Sequence, residues 1–178
     1  MGQDKALLNR DGQSQLQYAY SLLEELTERQ FVSTRTDQQD DVERSRFPRI
    51  VDSYEDIGPI AGILSAMEAH PDADWLVLAC DLPNLDRRTL EYLLEHCADD
   101  KPFTAYRSSH DGLPEPLCAI YRSGSDAAIR AFVADGLVCP RKMLIRSDTE
   151  LLDQANPEAL DNVNTPDDLA GSVLQAGQ

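Results

Sequence analysis

A continuous apolar run at residues 75–80 is the most informative part of the hydrophobic pattern. It contains no polar alternation, and it ends at Asp81, with Pro83 close behind. Such a run is typical of a strand buried on both faces in a sheet covered by helices. Ligands of open parallel sheets bind outside the carboxyl ends of the strands. Asp81 is therefore expected at a ligand site, although capping of the next helix explains this carboxylate equally well at this stage.

Elsewhere, apolar residues recur either at helical spacing or in short uninterrupted runs. Because the two patterns alternate, they predict one three-layer α/β/α domain over residues 1–178, with a mostly parallel sheet. The predicted strands cover residues 31–34, 49–51, 75–80, 103–106, 116–121 and 150–152. The predicted helices cover residues 16–26, 60–69, 86–97, 125–134 and 140–145.

Several polar groups follow predicted strands or begin predicted helices. Asp52 and Asp81 each close a strand, and Gly58 precedes a helix whose first amides offer an anion site. Asn162 and Asn164 share one face of an extended segment. These groups can converge on one edge of the sheet. The alternatives are a tight turn at Gly58 without a ligand, and asparagine side chains that bond the nearby backbone.

Composition narrows the classes of partner. The net charge of −16 excludes nucleic acid and anionic membranes as main partners. No apolar run reaches the roughly 18 residues that a membrane helix needs. The four cysteines form no C-x-x-C pair and are expected to be buried free thiols in a reducing cytoplasm. The three histidines are expected at the surface, without a paired acid.

Five segments, in order along the chain, together resemble one known family. MGQDKALL at 1–8 is similar to the end of its opening signature, and Asp52 followed by GPIAGILS at 58–65 is similar to a second segment. LACDLP at 78–83, PLCAIY at 116–121 and NVNTPDDL at 162–169 provide the other three. The sequence thus resembles the MobA-like nucleotidyltransferases, the molybdenum cofactor guanylyltransferases. The resemblance implies a Rossmann-like nucleotidyltransferase fold.

The resemblance also implies a reaction and a set of roles. The reaction is guanylyl transfer from GTP to the phosphate of molybdopterin or the molybdenum cofactor, with Mg²⁺ and release of pyrophosphate. Its implied partners are proteins of molybdenum cofactor biosynthesis or acceptor molybdoenzymes. The implied roles are catalysis for Lys5 and Asp81, nucleotide binding for Lys5, Asp52, Gly58 and Asp81, metal binding for Asp81, and molybdopterin binding for Asn162 and Asn164.

The sequence departs from the family pattern in two places. The opening strand and most of the glycine-rich phosphate loop are absent ahead of Met1, so we expect the natural chain to begin upstream. Arg35 and Thr36 occupy the position after the second strand where the family often has asparagine. Two other functions therefore stay open: cytidylyl or sugar-phosphate nucleotidylyl transfer, and a non-catalytic module that binds the cofactor or a partner.

Overall fold

Two β-sheets, a short β-hairpin and the packed helices make up the part of the protein that this computed structural model describes, residues 5–10 and 12–162. The strands are β1 (Asn9–Arg10), β2 (Gln13–Ser14), β3 (Val32–Thr34), β4 (Arg49–Val51), β5 (Trp75–Leu78), β6 (Phe103–Arg107), β7 (Pro114–Tyr121) and β8 (Thr149–Leu152). The helices are α1 (Gln15–Leu23), α2 (Pro59–Ala69), α3 (Arg87–Glu95), α4 (Asp126–Ala134) and α5 (Pro140–Arg146). Short 3₁₀ turns cover Lys5–Leu7, Thr36–Gln38 and Arg44–Arg46.

The larger sheet has the strand order β5-β7-β6-β8, and β3 and β4 form a separate parallel pair. β8 runs parallel to β6, whereas β7 is antiparallel to both of its neighbours. The predicted α/β fold with parallel strands is confirmed, and β7 is the strand of the larger sheet that runs in the opposite direction. A hairpin of β1 and β2 lies outside both sheets.

Alternate residues of β5 belong to two different cores. Trp75 and Val77 of β5 pack into the core formed with α2, α4 and α5. Leu76 and Leu78 pack on the opposite face, in the core that includes α3. Because both faces of the strand are covered by helices, both sets of positions are apolar, which explains the absence of alternation in the sequence.

Helices cover both faces of β5, as predicted, but one edge of the strand stays open. All four of its residues are only half-buried. The physical reason is its place in the sheet: β5 is the terminal strand of the larger sheet, and its second edge borders a cavity. The faces of the strand are covered, but this edge is not.

The helix after β5 begins at Asp86, which resolves one of the alternatives left open by the sequence. Asp86 Oδ1 accepts hydrogen bonds of 2.8 Å from the backbone N–H and from the hydroxyl of Thr89. Asp86 is therefore the N-cap of α3. Asp81 lies five residues earlier and does not cap this helix, so the capping explanation of Asp81 is wrong.

Two expectations about the histidines are also wrong. His70 is half-buried, and its ring lies 5.2 Å from that of Phe31 and 6.0 Å from that of Trp75. His110 is exposed, as expected, but its Nε2 lies 2.7 Å from Asp161 Oδ1. That hydrogen bond and the charge of Asp161 raise the pKa of His110. No local pattern predicts this pair, because the two residues are 51 positions apart.

The cysteines are free, as predicted, but only Cys118 is buried and the other three are half-buried. Burial raises the pKa of the Cys118 thiol to about 12, so this side chain is a core residue rather than a nucleophile. Among the helices of residues 5–10 and 12–162, none combines the length and the apolar character that spanning a membrane requires.

We predict that Asp86→Ala destabilises the protein by about 1 kcal/mol, because the amides of the first turn of α3 lose their acceptor. Urea unfolding monitored by circular dichroism measures this change. Asp86→Asn is the matched control, since asparagine caps helices about as well as aspartate. Equal stability of the alanine variant and the wild type would contradict the assignment of this cap.

Candidate active site

A cavity of about 920 Å³ lies between the two sheets. β3 and β5 form two of its walls, and α1 and α2 form the other two. Its lining is mainly apolar, and most of its polar residues, such as those at 28–30 and Asp74, precede β3 or β5, whereas Asp81 follows β5. The lining includes Ala6, Leu16, Ala19, Ser33, Pro59, Gly62, Cys80 and Asp81.

Asp81 borders this cavity just beyond the carboxyl end of β5. Its neighbour Cys80 packs against Ala6, Leu16 and Val32, a small cluster that joins the start of the chain to α1 and β3. This cluster fixes the end of β5 next to the 3₁₀ turn that carries Lys5. Asp81 is half-buried at this edge and lines the cavity.

Asp52 lies one contact away from the same cavity. The Ser33 hydroxyl, on a cavity-lining residue of β3, donates a 2.7 Å hydrogen bond to Asp52 Oδ1. Burial raises the pKa of Asp52, and the hydrogen bond from Ser33 partly opposes that rise. Because a raised folded-state pKa favours the protonated carboxyl, this group stabilises the fold below its unfolded pKa and loses that contribution as the pH rises.

Gly62 permits this contact. A Cβ added at Gly62 would collide with Ser33 Oγ and lie 3.4 Å from Asp52 Oδ1. Glycine inside a helix costs roughly 0.5–1 kcal/mol relative to alanine, so its presence in α2 indicates a packing constraint. Ser65, one turn along the same helix, accepts a 2.8 Å hydrogen bond from the backbone N–H of Ser53. α2 therefore holds both ends of the Asp52–Ser53 segment.

The loop after Asp52 reaches α2 through Gly58, whose φ of +57° is in the region that favours glycine. Pro59 then begins α2 and borders the cavity. A polar network fixes the loop from outside: Tyr54 donates to Glu68, and Arg130 donates to Glu68 at 2.8 Å. These bonds hold the pKa of Glu68 below its usual value.

Of the residues predicted for the site, Asp52, Gly58 and Asp81 lie on or beside one cavity. The backbone of Lys5 lies directly before Ala6, which lines the same cavity. Asn162 is exposed and is not among the residues that line the cavity. Asn164 lies outside the described residues.

Sequence reasoning missed Ser33, Gly62 and Ser65. Gly62 belongs to the GPIAGILS segment, and a glycine within a helical apolar stripe is itself a signal of close packing. Ser33 carried no signal, because its partner Asp52 is 19 residues away on another strand. Ser65 carried no signal either, because its partner is the backbone N–H of Ser53, 12 residues away.

The donor set suits a magnesium ion that is shared with a substrate. Within residues 5–10 and 12–162, no group of three acidic, histidine or cysteine side chains forms a ready metal site. Mg²⁺ differs from metals that need such a cage, since it is commonly held by one or two carboxylates together with phosphate oxygens and water. Asp81 at the cavity wall fits that pattern.

Most of this chain matches one known protein family. Residues 1–151 match the family described as the MobA-like NTP transferase domain. The chain belongs to this family. A MobA-like domain is a nucleotidyltransferase. The match spans α1 to α5 and β1 to β7, and it ends one residue before the end of β8.

Relatives of this chain carry names that fit this family. A molybdenum cofactor biosynthesis bifunctional protein of Synechocystis is 36% identical over 94% of this MobA-like chain, which spans only 48% of that relative. A probable molybdenum cofactor guanylyltransferase of Trichormus variabilis is 32% identical, with 96% of this chain and 83% of the relative covered.

The fold has a close counterpart among solved structures. The molybdopterin-guanine dinucleotide biosynthesis protein A of Archaeoglobus fulgidus superposes with a TM-score of 0.74 at 23% identity, covering 96% of this chain and 89% of that one. At this identity the likeness establishes the architecture, and the MobA-like fold expected from the sequence is confirmed.

We predict that Gly62→Ala displaces the Ser33 hydroxyl from Asp52 and so raises the pKa of Asp52 further. Carboxyl NMR titration measures this shift. Ser33→Ala should raise the same pKa by removing the donor, and adding Gly62→Ala to it should change little more. An Asp52 titration unaffected by Gly62→Ala would show that α2 does not constrain the pair.

Proposed function

We propose that this MobA-like domain transfers a guanylyl group from GTP to the terminal phosphate of molybdopterin or the molybdenum cofactor. Pyrophosphate is the second product. The proposal rests on the names of the relatives at 32–36% identity and on one structural observation: the Asp81 carboxylate borders a large cavity between the sheets.

The chemistry needs positioning more than proton transfer. An oxygen of the acceptor phosphate attacks the α-phosphorus of GTP, and the bond from that phosphorus to the bridging oxygen of the β-phosphate breaks. A phosphate monoester has a second pKa of about 6, so the attacking oxygen carries charge at neutral pH without a general base. This agrees with a cavity whose described lining includes only His70 as a histidine, and its ring packs at a tilt beside those of Phe31 and Trp75.

The main obstacle is the repulsion between two anions in a protein of net charge −16. Asp81 is the proposed ligand of Mg²⁺, which when bound would neutralise charge on phosphate oxygens. Lys5 is the proposed cation that offsets charge developing on the α-phosphate. Asp52 and the turn at Gly58 are assigned to the nucleoside, a role consistent with their place beside β3.

Asn162 and Asn164 are the proposed contacts to the pterin, on the basis of the family segment NVNTPDDL. Their amides offer both donors and acceptors, which suits the polar edge of a pterin ring. Partner proteins of the same biosynthetic route, or acceptor molybdoenzymes, would then receive the product. We propose that this reaction takes place in the cytoplasm, where the reducing conditions keep cysteines such as these four as free thiols.

A cytidylyl transferase for the same cofactor is the second candidate, because of the residues after β3. Arg35 and Thr36 stand where the family often has asparagine, and Arg35 forms a 3.0 Å ion pair with Asp37. A guanidinium at this place offers only donors.

Asp81→Asn should lower turnover at saturating GTP and Mg²⁺ by at least about a hundredfold, because the metal loses its carboxylate. Pyrophosphate release measures the effect. Asp72→Asn is the control, since it makes the same charge change at an exposed position before β5. Near-normal turnover by the Asp81 variant would refute the metal assignment.

We expect GTP with Mg²⁺ to raise the melting temperature of this protein, and CTP to raise it less, because binding to the folded state stabilises it by mass action. Differential scanning fluorimetry with each nucleotide provides the comparison. A larger shift with CTP would favour cytidylyl transfer. Binding of molybdopterin without binding of any nucleotide would identify a non-catalytic module.

A further inference from the structure

The loop that joins Asp52 to Gly58 has few backbone contacts. At its start, the backbone N–H of Ser53 donates to the Ser65 hydroxyl. The N–H groups of the next four residues, 54–57, donate to no other residue that the structure describes. The middle of the loop is therefore held by its side chains.

The backbone of this loop also adopts an uncommon conformation. Asp56 has a φ of +61°, and Gly58 follows with a φ of +57°. A residue other than glycine in this left-handed region costs free energy and persists only where surrounding contacts hold it. The loop thus depends on contacts from the rest of the protein to keep this shape.

Tyr54 makes the contacts that reach furthest from the loop. Its ring, together with Ile57, packs against the core that includes α2. Its hydroxyl donates to Glu68 of α2 and accepts from Arg130 of α4. Arg130 also donates to the Glu68 carboxylate at 2.8 Å. Each of the three groups bonds to the other two, and we call this closed set of Tyr54, Glu68 and Arg130 the Tyr54 network.

The guanidinium of Arg130 closes this network. Its donors form a rigid planar fork, in which Nη1 bonds to the Tyr54 oxygen and Nη2 to the Glu68 carboxylate. Its Nε lies 3.3 Å from Asp126 Oδ2, one turn earlier on α4, and this third bond orients the side chain. Lysine carries a single charged nitrogen and does not reproduce the fork.

The Tyr54 network matters because the loop has few other contacts. The side chains of Arg130 and Glu68 are 39% and 40% exposed, and an ion pair at that exposure adds little to global stability. The ordered loop is opposed by the backbone of Asp56, so even a weak interaction shifts the balance between its ordered and disordered forms. We therefore expect loss of the network to loosen the loop without unfolding the protein.

The network lies away from the cavity. Tyr54, Glu68 and Arg130 are not among the residues that line it. Along the chain, however, Tyr54 comes two residues after Asp52 and four before Gly58. Those two positions are assigned to the nucleoside under the proposed function. An effect of the network on the nucleotide therefore has to pass through the loop.

We propose that Arg130 is a positioning residue for nucleotide binding: through Tyr54 it keeps Asp52 and Gly58 at the spacing that the nucleoside requires. The inference rests on the proposed function for the identity of the ligand, whereas the ordering of the loop is a property of the protein alone. Because Arg130 acts without contacting the nucleotide, its loss weakens binding and leaves the chemical step nearly unchanged.

The first test measures the order of the loop without nucleotide, by backbone NMR relaxation. In the wild type, the N–H groups of residues 54–57 should have order parameters of about 0.85, and Arg130→Met should lower them below about 0.6. Tyr54→Phe keeps the ring in the core, removes only the hydroxyl and should have the same effect. Arg87→Met is the matched control, since Arg87 is an exposed arginine that pairs with two carboxylates away from this loop.

The second test measures nucleotide affinity and turnover. Arg130→Met and Tyr54→Phe should each raise KM for GTP by about five- to tenfold and change kcat by less than about twofold, the pattern of a lost binding interaction. Because both act through one network, the double variant should be little worse than either alone. Arg87→Met should change neither constant, which separates the network from a general loss of positive charge. Arg130→Lys should keep most of the defect, because it retains the charge without the fork.

Several results would overturn this inference. Unchanged order parameters in both variants would show that the loop does not depend on Arg130. A loosened loop with an unchanged KM for GTP would show that binding does not use its order, and full rescue by Arg130→Lys would show that charge alone matters. Wild-type protein that binds no nucleotide would refute the proposed function and with it the positioning role. Normal wild-type binding without any effect of the variants would refute the positioning role alone.

Discussion

The backbone pairing of β5 is the constraint on which the rest of the structure depends. Its ladder with β7 attaches Trp75 to Leu78 to the larger sheet and gives each core two apolar side chains from the strand. The same ladder directs the backbone groups of Leu76 and Leu78 toward the cavity. β5 thus supports the fold through one edge, borders the candidate site through the other, and carries Asp81 at its end.

The second connection across the molecule is made by α2. This helix packs on β4 and β5, and the missing side chain at Gly62 brings it close enough for Ser33 and Asp52 to meet beside it. Ser65 fixes the next backbone N–H. The geometry of Asp52 therefore depends on helix packing, and its raised pKa is a consequence of burial at that junction.

The net negative charge of the protein opposes the binding of phosphates at the candidate site. A surface with twice as many acidic as basic residues repels phosphates at long range. A reaction between two phosphate compounds in such a protein therefore depends on local cations. Many of the described arginines are engaged with carboxylates at the surface, as Arg122 is with Asp74 and Arg130 with Glu68. In the proposed mechanism this positive charge comes from a bound metal ion and from Lys5.

The sequence by itself determined the order of elements, the α/β class and the family, because apolar spacing, caps and short motifs are local properties of the chain. It predicted site roles for Asp52, Gly58 and Asp81 from their positions after strands or before a helix. Tertiary structure decided what depends on distant residues: the antiparallel course of β7, the pairing of Ser33 with Asp52, the contact of His110 with Asp161, and the half-burial of β5. Each of these joins residues that are far apart in sequence, so no local pattern encodes it.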